Sequence, residues 1–272
     1  MSAADRSRGR AWFECLAGAR SSVEGAQTVL VADAPLGHEN VRFLAVVPNS
    51  SNRFPRARHG EVGLDEAATL AQHVRDAMRA DAGVRRAIIA IVDVTSQAYG
   101  RREELLGIHL AGAAAADAYA SARLAGHPVI ALLVGKAMSG AFLTHGYQAN
   151  RILALDSPEV LIHAMGKEAA ARVTRRTVEE LDELGERIPP MAYDVRAFTA
   201  LGLVHRLIDG VNADSPTPDD VQRVRQELID AVADARSGAP DLSSRLSNAQ
   251  ARRTRAASIL VRQRLAEQWN DP

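Results

Sequence analysis

Cysteine is nearly absent from this sequence: Cys15 is the single one among 272 residues. No intrachain disulfide can form, and a reducing cytoplasm is the expected setting. Aromatic side chains make up 4%, too few for an aromatic-lined ligand cage. There is no net charge, since Lys and Arg total 33 and Asp and Glu total 33. No overall field therefore recruits nucleic acid or an anionic membrane. No apolar run approaches the ~18 residues that a membrane helix needs. Residues 1–10 carry charge, but no apolar stretch of signal-peptide length follows them. The eight histidines are scattered, without the helix-face spacing of a metal site, so no metal is expected.

What is present reads as a globular α/β protein. Hydrophobic residues reach 47% and charged residues 24%, enough for a sizeable core in one large domain or two small ones. Short β-branched runs at 27–32, 41–47, 87–92, 129–134, 151–155 and 204–209 are expected strands. Between them, Leu64, Ala67, Ala68, Ala71, Val74 and Met78 recur at helical spacing, and Gly83 supplies the stop. A longer helix is expected from Arg102 to Ala125, with Leu105, Ile108, Gly112, Ala115, Tyr119 and Ala122 as a small-residue face. Cys15, in the apolar run Trp12 to Leu16, is expected to be a buried structural thiol. Three segments follow: an N-terminal helical piece (1–21), a main domain (22–212) and C-terminal helices (213–272). Pro216 and Pro218 open the first of those helices, and Ser243 caps a final basic one. The charge balance breaks down there, because Arg245 to Arg264 holds six arginines and no acid.

Two segments carry chemistry. The first, Gly135-Lys136-Ala137-Met138-Ser139-Gly140-Ala141-Phe142, follows an apolar strand and enters a helix. Backbone N–H groups at such an entrance suit an anion or a developing oxyanion, and Gly140 leaves room for close approach. The plain alternative is an ordinary strand-to-helix turn. The second segment runs from Asp93 through Ser96, Gln97, Ala98 and Tyr99 to Glu104, again after a strand and before a helix. Ligands collect at the carboxyl ends of strands in α/β sheets, so the two loops are candidates for one site. For Ser96 and Tyr99, helix cap and packing ring are the bland roles.

These segments resemble the carboxyltransferase alpha half of biotin-dependent carboxylases, in the crotonase superfamily. Asn52 to Leu64, with Arg53, Arg56 and Arg58, and Ser96 to Glu104 resemble more specifically the biotin-independent malonate decarboxylase gamma subunit family. The likeness runs from about Trp12 to Asp209. It implies a crotonase-like spiral of strand-strand-helix units, and a homologous beta subunit that completes the active site. It implies an acyl carrier protein presenting a malonyl thioester on a phosphopantetheine-type thiol, with no cofactor bound directly by this chain. The implied chemistry is decarboxylation through a thioester enolate. Ser139, Gly140 and Ala141 would form the oxyanion or carboxyl site, and Ser96, Gln97, Ala98, Tyr99 and Gly135 would contact substrate. Arg53, Arg56 and Arg58 would hold a phosphopantetheine phosphate or a partner subunit. Thr95-Ser96 stand where carboxyltransferases usually carry Pro-Gly, which counts against biotin binding. The alternatives are a non-catalytic scaffold subunit, an acyl-CoA hydratase or isomerase, and a Clp-type serine peptidase using Ser139 and His163.

Overall fold

The structure is a computed structural model and describes residues 7–18, 28–80 and 83–269. Gln27, where the first strand was expected to begin, and the expected boundary between residues 21 and 22 lie outside the described residues. The first helix, α1 (Arg8–Ala17), is capped by the Ser7 hydroxyl, which accepts the Arg10 N–H at 3.2 Å. It buries Trp12, Phe13 and Leu16. Cys15, expected inside, falls on the opposite side of this face and is exposed. Partial burial and the nearby Glu14 carboxylate raise its pKa, which disfavours a reactive thiolate.

Among the described residues, seven strands form one sheet. Strands β1 (Val29–Leu36) and β2 (Glu39–Val46) pair antiparallel. Strands β3 (Ile88–Val94), β4 (Val129–Met138) and β5 (Arg151–Leu155) then add in parallel. A two-residue strand, β6 (Ile162–His163), pairs with the tip of β4, and β7 (Arg206–Ile208) closes the edge beside β5. The centre of β3 and the first half of β4 are wholly buried, which explains their unbroken apolar runs Ile88–Val92 and Val129–Val134. Helix α2 (Leu64–Ala80) packs on α4 (Ile108–Leu124) over one side of the sheet. Of its expected stripe, Ala67, Ala71 and Val74 are buried, but the face is rotated to take in Leu70 and Ala77, and Ala68 is exposed.

A smaller layer runs past the carboxyl ends of these strands. After β2, Val62 bridges Gln97, which itself follows β3. After the buried part of β4, Ala137 and Met138 pair with Ile162 and His163, which follow β5, and Leu161 bridges Asp194. Each turn of the chain therefore makes a core strand, a short second pairing and a helix. This is the strand-strand-helix spiral expected from the resemblance.

Three expected elements differ. The segment 135–138, read as a turn, continues β4, and α5 (Ser139–Thr144) starts at Ser139. Pairing with β6 on one side and with Val94 of β3 on the other keeps it extended. The long helix is broken into α3 (Arg101–Leu105) and α4, because Gly107 takes φ +83° between them. The break turns Leu105 outward, and it is 80% exposed rather than part of the packed face.

Helices α6 (Lys167–Thr174), α7 (Val178–Arg187) and α8 (Val195–Ala200) lie between β6 and β7. Helix α9 (Pro218–Ser237), closed by a Thr217–Asp220 capping box, adds Val224, Leu228 and Val232 to the same core as Trp12. The single basic helix expected at the end is three: α10 (Ser244–Ser247), α11 (Ala249–Thr254) and α12 (Ala256–Trp269). Asn248, extended and accepting the Ala251 N–H at 2.7 Å, restarts the chain as an N-cap, while Ser243 makes no side-chain cap bond.

Candidate active site

Because each short second-layer segment hands the chain to a helix, helix entrances and small loops gather along one edge. Two of them meet at Gly140. Gln97, following β3, accepts the Gly140 N–H on Oε1 at 2.9 Å. A backbone N–H can only donate, so this bond fixes which end of the amide faces Gly140. The Nε2 donors are left without a partner among the described residues. A Cβ at Gly140 would lie 3.2 Å from Oε1 and 3.3 Å from Cδ of Gln97, so the bare glycine is what lets the side chain settle there.

Gln97 and Gly140 form a wall shared by two cavities. One, of about 660 Å³, is also lined by Ser139 and His163 and is closed by Thr254, Arg255 and Ser258 of the C-terminal helices. The other, of about 310 Å³, opens toward Gly112, His109 and Leu143. Of the residues expected to touch substrate, the structure brings Ser139, Gly140 and Gln97 together here. It does not bring the others to either cavity. Ala141 is fully buried in the core. Ala98 packs in a second small core with Phe54, Ala57 and Ile108. Tyr99 is 60% exposed. Ser96 gives its hydroxyl to the Gln97 carbonyl at 3.0 Å.

Gly135 serves a different neighbour. A bulge between Val92 and Val94 turns the Asp93 carboxylate toward β4 and α1. There it accepts the Lys136 N–H at 3.2 Å and the Gly9 N–H at 3.1 Å. A Cβ on Gly135 would sit 2.1 Å from Asp93 Oδ1. Asp93 and Gly135 thus tie the approach to the site together from behind it.

Ser139 has φ +55°, an uncommon backbone for a residue with a side chain. Its hydroxyl donates to the Ala164 carbonyl at 2.7 Å. His163 lies nearby, but its Nδ1 is engaged with the Met165 backbone, 3.0 Å from the carbonyl and 3.2 Å from the amide nitrogen, and its ring stacks on Tyr193 at 3.9 Å. Desolvation lowers its pKa. No Ser139–His163 hydrogen bond exists, so the pair that a serine peptidase needs is not formed.

Sequence reasoning missed His145, which holds α5 in place. It is fully buried, with Nε2 3.0 Å from the Ile91 carbonyl and Nδ1 2.9 Å from the Tyr119 hydroxyl. A carbonyl only accepts, so Nε2 carries the proton and Nδ1 accepts from Tyr119. Burial drives the His145 pKa down to about 4 and the Tyr119 pKa up. Glu66 was missed as well. Its buried carboxylate accepts from Thr28 Oγ1 (2.6 Å), Asn52 Nδ2 (2.9 Å) and the Gly63 N–H (2.9 Å), which shapes the loop 52–63.

That loop packs on the Ser96–Glu104 loop through Phe54, which lies beneath the guanidinium groups of Arg53 (4.9 Å) and Arg102 (5.3 Å). Arg53 pairs with Asp65 at 2.6 Å, and Arg56 is 4.0 Å from the buried Glu103. Arg58 donates to the Asn52 carbonyl at 2.9 Å. The three arginines are therefore engaged within the loops, though Arg53 and Arg56 remain largely exposed. Among the described residues no group of three or more His, Cys, Asp or Glu is placed to hold a metal ion. No helix there is long and apolar enough to cross a membrane.

Known proteins match this arrangement over most of its length. A Pseudomonas malonate decarboxylase hetero-tetramer, solved with coenzyme A, contains a chain 55% identical to this one. It covers 97% of this chain and 100% of that one, with a TM-score of 0.91. The MdcD–MdcE hetero-dimer of a Pseudomonas malonate decarboxylase gives 54% identity, the same coverage and a TM-score of 0.89. The curated Malonomonas rubra protein malonyl-S-ACP:biotin-protein carboxyltransferase MADD is 36% identical over 189 residues. That match spans 67% of this chain and 65% of the relative's own length. Transcarboxylase 12S, at 22% identity and a TM-score of 0.59 over 79% of this chain, shares the crotonase-like fold. A model of the malonate decarboxylase gamma subunit family matches residues 57–269, and the chain belongs to that family.

Proposed function

We propose that this chain pairs with a homologous beta subunit and that the two decarboxylate a malonyl thioester, presented on an acyl carrier protein, to the acetyl thioester. The observation that carries this reading is the junction of Gln97 and Gly140 on the wall of the 660 Å³ cavity. Breaking the bond to the carboxyl carbon sends its electron pair into the thioester, and CO2 leaves. The barrier is the negative charge that gathers on the enolate oxygen, and a proton then returns to carbon. Hydrogen-bond donors held in place beforehand lower that barrier, at about 3 kcal/mol each. Gln97 Nε2, oriented through its bond to Gly140, is such a donor, and the Ser139–Gly140 turn sets its position.

The site opens toward surface that suits a partner. Leu105, Leu106 and Leu110 are each more than half exposed on α3, α4 and their link, and Leu143 of α5 is 53% exposed. The Pseudomonas relatives are assembled with other subunits, as a hetero-dimer and a hetero-tetramer. Arg53 and Arg56, exposed on the loop that packs against the Ser96–Glu104 segment, take the phosphate of the carrier's phosphopantetheine arm or the partner itself. This chain binds no cofactor of its own, and the single, exposed cysteine suits a reducing cytoplasm.

The test is co-expression with the beta subunit. The purified complex is expected to release CO2 from malonyl thioester, and Gln97→Ala should slow that release about 100-fold without changing assembly. Full activity in the Gln97→Ala complex would leave the chemistry to the partner and make this chain a scaffold.

A further inference from the structure

The 660 Å³ cavity has a charge imbalance that the oxyanion chemistry does not use. Two arginines, Arg245 and Arg255, are among its lining residues, and no aspartate or glutamate is. Arg245 is buried and already committed. It donates to the carbonyls of Tyr147 (2.6 Å) and Ala149 (2.9 Å) and lies 4.8 Å over the Tyr147 ring. Those partners are neutral, so they hold the side chain without cancelling its charge. Burial lowers its pKa only to about 10, which keeps it cationic at neutral pH. Arg255 is different. It is half-buried at the junction of α11 and α12, and its guanidinium has no hydrogen-bond or ion-pair partner among the described residues. A planar fork of unused donors and a second cation thus line the same cavity as Gln97 and Gly140.

We propose that Arg255 is a specificity-determining residue that binds the free carboxylate of the malonyl thioester. This rests on the function proposed above and adds the group that selects the substrate. The carboxylate held by Arg255 is the one the reaction removes: the carbon–carbon electron pair stays with the thioester, and neutral CO2 departs. The acetyl product has nothing for Arg255 to hold, so the contact separates substrate from product and lets product leave. The contact also weakens as the carboxylate becomes CO2, so it stabilises the ground state more than the transition state. Its loss must appear in KM and not as a fall in kcat.

The experiment compares wild-type, Arg255→Ala and Arg255→Lys complexes, each assembled with the beta subunit. A malonyl thioester of a short thiol without phosphate is the substrate, and the matching acetyl thioester is the product inhibitor. In Arg255→Ala, KM for the malonyl thioester is expected to rise 10- to 100-fold, the range for a hydrogen-bonded charge. Inhibition by the acetyl thioester should be unchanged, and kcat should be equal or higher. Arg255→Lys, which keeps the charge without the fork, should recover part of the affinity. An unchanged malonyl KM in an assembled Arg255→Ala complex overturns the proposal. So does a fall in kcat, or an effect confined to phosphate-bearing thioesters, which would make Arg255 a phosphate contact. If the wild-type complex itself releases no CO2, the underlying function fails and takes this inference with it.

Discussion

Replacing Gly140 by alanine separates a chemical role for the β4–α5 turn from a structural one. The new Cβ would stand 3.2 Å from Gln97 Oε1 and 3.3 Å from its Cδ, closer than ordinary contact by a few tenths of an ångström. The neighbour is the end of a flexible side chain, and Gly140 does not have the left-handed backbone seen at Ser139. The fold can therefore absorb the methyl group, and stability should change by no more than about 1 kcal/mol. Gln97 cannot absorb it without tilting or breaking its 2.9 Å bond to the Gly140 N–H. Misplacing one preorganised donor costs about 100-fold in kcat. The assay is single-turnover decarboxylation of malonyl thioester by the complex, with melting and carrier-protein titration run in parallel. The expected outcome is a kcat lowered about two orders of magnitude, with unchanged assembly and carrier affinity. Wild-type turnover in Gly140→Ala would show that the Gln97–Gly140 bond has no part in the chemistry.

Three further outcomes follow from the same geometry. Gly135→Ala should be far worse for folding than Gly140→Ala, because its Cβ meets a carboxylate pinned by two backbone amides. A loss of about 1–3 kcal/mol is expected by chemical denaturation, and equal stability of the two variants would contradict the packing. Ser139→Ala removes a bond to the Ala164 carbonyl and no nucleophile, so most activity should remain and a fluorophosphonate should not label the wild-type complex. Covalent labelling lost on changing His163 would restore the peptidase. Acid should loosen α5 through His145: its pKa is near 4 folded and near 6.5 unfolded, so the unfolded chain binds the proton more tightly between those values. Stability from this residue is complete above pH 6.5, declines as pH falls to 4, and totals about 3 kcal/mol, measured as denaturation midpoints against pH in wild type and His145→Asn.

The elements that sequence made legible are those whose patterning arises within one stretch of chain. The buried runs at 88–92 and 129–134 could be read because parallel strands covered on both faces must be apolar throughout. The α9 start was legible from its proline for the same local reason. Elements decided by distant pairing were not. Residues 135–138 stay extended because Val94 on one side and Ile162 and His163 on the other arrive beside them, and nothing within 135–138 announces that. The α3–α4 break depends on one positive φ at Gly107, a residue that helices tolerate. At the site, small residues marked Ser139 and Gly140, yet Gly135 looked equivalent until Asp93 was found in the space its side chain would fill. His145 and Glu66 gave no signal, since a lone buried polar residue is recognisable only through partners far away in sequence.

The terminal arginines show the same limit and bear on mechanism. As a run of six they look like one solvated basic face, and Arg245 alone refutes that, being buried against the carbonyls of residues 147 and 149. The break at Asn248 redirects the chain so that Arg255 enters the cavity wall while Arg252 and Arg253 remain exposed. A decarboxylase faces opposing demands here: a charged substrate must be attracted, but a tight grip on the departing carboxylate raises the barrier to losing it. Placing Arg255 at the α11–α12 junction, on the same cavity as the β4–α5 turn, would divide those demands between two parts of the fold. The turn is fixed from behind by His145 and Asp93, which suits it to hold the proposed enolate donor still. Arg255, half-buried and without a side-chain partner among the described residues, is in the proposed mechanism the group that attracts the carboxylate and yields as it becomes CO2.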